Sequence, residues 1–187
     1  IIDDEACKEA SKQEILRRYF KALCDLKTGT GEQDTVSRLE FLMSRLGINV
    51  ADRKIVEVAK KKSADNDGCG AVALELADGR IVTGKNTKMM SASAACVFNA
   101  VKMLAGIKDK QKLISPYVIG PIIDLKTKIL KEHNKTLTLE EALIALSICA
   151  ASDANAATAM EQLPLLEGCD AHSTHMLFKA DENPFRK

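Results

Sequence analysis

The sequence predicts an α/β protein in two parts, a small helical bundle over residues 1–64 followed by an α/β domain over residues 69–187. Three observations carry that prediction. Apolar residues recur at helical spacing through the first part. The run Ala64-Asp65-Asn66-Asp67-Gly68, with no apolar side chain larger than Ala, then interrupts the chain. Two short apolar runs separated by Asp78-Gly79 follow it, and that dipeptide favours the positive φ angles of a tight hairpin turn. A length of 187 residues accommodates one domain or two small ones.

Residues 4–27 read as an amphipathic helix, with Ile15, Leu16, Tyr19, Phe20, Leu23, Cys24 and Leu26 on its apolar side and Gly29 and Gly31 as stop signals. A second helix is expected from a cap at Asp34 or Thr35, through Val36, Leu39, Leu42, Met43 and Leu46, to Gly47. A third starts near Asp52 and dissolves into Lys60-Lys61-Lys62-Ser63. After the turn-rich run, residues 71–76 and 80–83 form the two arms of a β-hairpin. An Ala-rich helix spans about 91–104 and is closed by Gly106, residues 112–115 are a brief strand candidate, and Pro116 stands where a helix can begin. Thr138-Leu139-Glu140-Glu141 fits a capping box opening a helix to about Ala151. Ser152 or Asp153 caps another through Met160, and residues 169–178 read as a final strand.

Composition narrows the function classes. The 27 Lys and Arg nearly balance the 26 Asp and Glu, and aromatic residues are 4% with no Trp, which argues against nucleic acid as a partner. The apolar runs fall short of a membrane span. Six cysteines, mostly within apolar stretches and without C-x-x-C spacing, read as free thiols in a reducing cytoplasm rather than as metal ligands. The chain begins at Ile1 with neither an initiator Met nor a signal-peptide pattern, so the expectation is a cytoplasmic piece of something longer.

The order hairpin, helix, short strand, helix over residues 71–131 resembles the cytidine deaminase fold, above all in Val72-Ala73-Leu74-Glu75-Leu76-Ala77-Asp78-Gly79-Arg80-Ile81-Val82-Thr83-Gly84-Lys85-Asn86. That likeness implies a cytidine-deaminase-like α/β sandwich. It does not imply deamination. In this register Ala95, Val97, Tyr117 and Gly120 stand where the zinc ligands and the proton-shuttling Glu would be, and Cys96 could restore one ligand at most.

A second resemblance covers nearly the whole chain. It rests on Ser11-Lys12-Gln13-Glu14-Ile15-Leu16-Arg17-Arg18-Tyr19-Phe20, on Leu143-Ile144-Ala145-Leu146-Ser147-Ile148-Cys149-Ala150-Ala151, and on Gly168-Cys169-Asp170-Ala171-His172-Ser173-Thr174. These stretches resemble the C-terminal part of a bacterial family known as domain of unknown function 1846. The resemblance implies an upstream domain with a glycine-rich, phosphate-loop-like stretch, and with it a nucleotide in the longer protein. No cofactor is expected in this chain itself.

Candidate ligand-binding residues fall in two groups. Asn86, Ser91 and Ser115 lie at the sheet edge where the resembling fold converges two helix N-termini, whose unpaired N–H groups suit an anion; the plainer reading is that both serines simply cap their helices. His172, Ser173, Thr174 and His175 form a polar cluster in the last strand, in which Ser173 and His175 face one way and His172 and Thr174 the other. A His beside a hydroxyl could act as base and nucleophile, or the cluster could be a satisfied structural one. Two functions stay open on these grounds. One is a nucleotide-dependent enzyme whose phosphate-binding region lies upstream. The other is a non-catalytic module that packs against the upstream domain or forms a homo-oligomer.

Overall fold

A computed structural model describes residues 4 to 186. The chain divides into two compact units, residues 1–57 and 58–187. The division falls inside the third helix, ahead of the turn at residues 65–68 where the sequence suggests a boundary.

In the first unit α1 (Asp4–Lys27) packs against α2 (Gln33–Leu46), and a short 3-10 turn (Val50–Asp52) follows. Their common core is thin: Leu16, Met43 and Ile48 are buried, flanked by Ile15, Tyr19 and Val50. Gly47 ends α2 at φ 64°, a left-handed conformation whose N–H returns to Met43 and Ser44 carbonyls. Helix α3 (Lys54–Ala64) runs into the second unit.

There β1 (Ala71–Glu75) and β2 (Ile81–Lys85) make the hairpin, with Leu74 opposite Val82. A third strand, β3 (Asp170–Ser173), pairs antiparallel on the other side of β1, giving the order β2-β1-β3. Helix α4 (Ala92–Leu104) lies on β1 and β2. The approach is close: a Cβ on Gly84 would sit 2.5 Å from the Ala92 carbonyl and run into the Cys96 backbone. On its far side α4 packs against α6 (Leu139–Ala150) and α7 (Ala154–Glu161), around Phe98, Val101, Leu113, Leu146 and Ala156. Helix α5 (Pro116–Asp124) continues into a π-helical turn (Leu125–Ile129), and α8 (Lys179–Phe185) packs on α6.

Two strand expectations are corrected. Residues 112–115 form no strand, because Leu113 and Ile114 are both buried in succession rather than alternating, and the Ser115 N–H donates to the Cys149 thiol at 3.3 Å instead of to a neighbouring strand. The final strand stops at Ser173: the Thr174 N–H still donates to the Ala71 carbonyl at 2.9 Å, but the Ala71 N–H is taken by the Thr174 hydroxyl rather than by a strand carbonyl, and the Ser173 hydroxyl folds back onto the His175 carbonyl. The protein is mixed α/β, mainly helical, with this small sheet at one side of its second unit.

Candidate functional site

The polar groups of the second unit gather where α4 and α6 begin side by side. After β2 the Thr87 hydroxyl accepts the Met89 and Met90 N–H groups, and the turned chain meets the segment before α6. Met90 bridges to Leu137, the Ser91 N–H donates to the Leu137 carbonyl at 2.9 Å, and the Leu137 N–H donates to the Met89 carbonyl at 2.8 Å. Ser91 caps α4 and Thr138 caps α6, the latter in a capping box whose return arm is Glu141.

Asp181 of α8 closes the gap between them. It is buried, and its Oδ1 accepts the Ser91 hydroxyl at 2.6 Å and the Leu139 N–H at 2.7 Å. The anion that two adjacent helix starts attract is thus the chain's own carboxylate. The convergence expected between the starts at Ser91 and Ser115 occurs instead between those at Ser91 and Thr138.

Asn86, His175 and Ser173 stand next to this junction. The Asn86 Oδ1 accepts the first N–H of α4, from Ala92, at 2.7 Å, and the Asn86 amide and the His175 ring both crowd the space where Gly70 lacks a Cβ. His175 Nδ1 is 3.2 Å from the Ser173 hydroxyl, which donates to the His175 carbonyl at 2.7 Å. Partial burial lowers the His175 pKa, an effect the Asp181 charge opposes. Ser91 therefore bonds Asp181 while His175 bonds Ser173, and these contacts do not assemble a nucleophile, base and orienting carboxylate in one relay. Ser93, next to the cap, is buried with a hydroxyl that meets no hydrogen-bond partner.

The remaining candidates lie apart from that group or serve the backbone. Thr174 accepts the Ala71 N–H at 3.0 Å and donates to the Ala71 carbonyl at 3.3 Å, and His172 lies opposite Ala73 across the strand pair. Ser115 caps α5 through the Tyr117 N–H at 3.3 Å. It also lines a pocket of about 390 Å³ with Lys112, Cys149, Ser152 and Asp153, open at the starts of α5 and α7. Asp153 already accepts the Asn155 and Ala156 N–H groups there.

Two functional-looking groups escaped the sequence reading. Asp181 is one, hidden because Pro184 makes residues 179–185 read as broken chain although they form α8. Lys126 is the other. It is 3% exposed, and its ammonium donates to Glu141 at 2.7 Å and to the Thr136 carbonyl at 2.9 Å, with Glu132 at 3.6 Å. It pins the π-helical turn to the start of α6. Among the described residues no three His, Cys, Asp or Glu side chains group as metal ligands, and no helix is long and apolar enough to cross a membrane.

A family model described as the domain of unknown function DUF1846, C-terminal, matches residues 51–187, and its N-terminal counterpart matches residues 1–47. This chain belongs to the DUF1846 family. Among its relatives, UPF0371 proteins of Clostridium botulinum (strain Eklund 17B / Type B) and Clostridioides difficile (strain 630) are each 48% identical over 194 residues. One from Clostridium tetani (strain Massachusetts / E88) is 47% identical. In each case the alignment takes in 100% of this chain but only 39% of the relative. The family division between residues 47 and 51 falls close to the start of α3, near the division between the two compact units.

Proposed function

We propose that this chain is the C-terminal part of a larger cytoplasmic DUF1846 protein and serves as an interaction module, its α5 and α6 faces taking a second copy of the same chain. One observation carries the reading. Ile144 and Ile148, one turn apart on α6, are 59% and 52% exposed, while Tyr117 and Ile129 on the neighbouring α5 and its π-helical turn are 91% and 71% exposed. Large apolar side chains left exposed on adjacent helices are the material of an interaction surface. Two further features support it: the starts of α4, α5, α6 and α7 are capped by the chain's own side chains, and the Ser173 and His175 pair stays in local contacts. The reduced, exposed thiols of Cys7, Cys24 and Cys69 fit a reducing compartment. The test is the oligomeric state by analytical ultracentrifugation. Association that rises with concentration and is abolished by Ile148→Asp supports the module. A monomer at every concentration overturns it.

The enzyme reading retains one favourable observation, the pocket beside Lys112 and Ser115. Its volume lies within the range of small-molecule sites, and Lys112 supplies a cation for a phosphate delivered by an upstream nucleotide-binding region. A melting-temperature rise with nucleotides in the longer protein, lost in Lys112→Ala, would favour that function. A deaminase-like fold is the finer reading of the second unit. The hairpin under α4 supports it, while the missing strand at 112–115 and the antiparallel β3 weigh against it.

A further inference from the structure

The first unit presents a second apolar face that the proposed association through α5 and α6 does not use. Helix α2 buries Val36 and Met43 on its inner side. Away from that side Phe41, Leu42 and Leu46 are 66%, 39% and 54% exposed; Leu42 and Leu46 stand one turn apart, and Phe41 lies about 100° round the helix from Leu42. Arg45 reaches over the Phe41 ring at 5.9 Å, and Arg38, one turn before Phe41, pairs with Asp34 at 2.6 Å. The apolar surface of α2 therefore extends beyond its buried side, over Leu42 and Leu46 to Phe41, and that extension lacks a cover.

The family assignment bears on what covers it. Residues 1–47 answer to the family's N-terminal domain, whereas its C-terminal domain model starts at residue 51. The chain spans 39% of its relatives, so most of a relative's polypeptide lies outside the matched stretch. We infer that α1 and α2 are an outlying piece of the N-terminal domain, and that the apolar surface of Phe41, Leu42 and Leu46 docks onto the rest of that domain in the longer protein. The matching surface is apolar at its centre and carries a carboxylate placed to meet Arg45, whose guanidinium is offered beside the ring.

The experiment compares this 187-residue chain with the longer polypeptide that contains it. Hydroxyl-radical footprinting reads side-chain access in the unaltered proteins, and oxidation of Phe41 and Leu46 is expected to fall severalfold in the longer one. Phe41→Asp with Leu46→Asp should leave the short chain's melting temperature and circular dichroism unchanged while lowering that of the longer protein by about 5 °C or more. Equal oxidation in both proteins overturns the inference. So does a double variant that melts the longer protein no earlier than wild type. Should the same variant instead convert a short-chain dimer to monomer, the cover is a second copy and the proposed docking is refuted. None of these outcomes depends on whether α5 and α6 self-associate.

Discussion

Replacing Asp181 isolates the junction that joins three helices. The carboxylate takes two donors, the Ser91 hydroxyl at 2.6 Å and the Leu139 N–H at 2.7 Å, and Leu139 is 1% exposed. Hydrogen bonds to a charged group contribute about 1.5–3 kcal/mol each, and a buried N–H left without an acceptor costs about 1–3 kcal/mol. Ser91 still accepts from the Ala94 N–H after the change, so its loss is smaller than that of Leu139. Asp181→Ala should therefore destabilise the second unit by about 3 kcal/mol, within a range of about 2–5. Asp181→Asn keeps an oxygen that can accept both donors and gives up only the charge, for a loss of about 1 kcal/mol. For a chain of this size the two losses correspond to about 6–12 °C and about 2–4 °C in melting temperature. Differential scanning calorimetry of both variants checks the values. An alanine variant within about 2 °C of wild type, or an asparagine variant as damaged as the alanine one, would refute the two-donor account.

Four other outcomes are expected. Lys126→Ala strands the Glu141 carboxylate that also caps α6 and should cost about 2–4 kcal/mol in urea denaturation, with Lys126→Met, which keeps most of the volume, costing less. Cys96 is buried and its thiol is pushed up to about 12, so at pH 8 an aromatic disulfide reagent should modify the exposed Cys7, Cys24 and Cys69 and reach Cys96 only after denaturation. His175 has a folded-state pKa below its usual 6.5, so the unfolded chain binds the proton more readily. Its contribution to stability is complete above pH 6.5 and is lost as pH falls through the folded value, and His175→Gln should flatten that part of a stability-versus-pH curve. Gly84→Ala drives a methyl group into the α4 backbone and should lower expression of folded protein or its melting temperature more than Gly79→Ala, whose added Cβ meets no heavy atom and whose strain lies in its φ of 81°.

The elements that local chemistry specifies were legible in the sequence. The 24-residue α1, the hairpin at Asp78-Gly79, the caps at Ser91, Ser115 and Asp153, and the capping box at Thr138 all follow from periodicity and hydrogen-bonding side chains within four residues of each other. What depended on distant partners was not legible. Leu113 and Ile114 look like a strand until the core that buries both is known, and nothing near Asp181 reveals that its acceptor is meant for residues 42 and 90 positions earlier. The candidate site followed the same rule. Asn86, Ser91, Ser173 and His175 do stand around one junction, but the group that organises it comes from a helix concealed by Pro184. Ser115 keeps other company, because α5 and α4 start at different places once residues 112–115 bend into the core instead of pairing.

The position of Asp181 also orders events in time. Leu139 leaves the ribosome 42 residues before the carboxylate that will accept its N–H, which at ordinary translation speeds is roughly 2 to 8 s. Ser91 precedes it by 90 residues and waits about twice as long. During that interval α4 and α6 can form and cap themselves, yet the junction between them stays open to water. A nascent chain stalled before Asp181 should thus show native helices with an unsealed seam, which closes only once Asp181 has emerged.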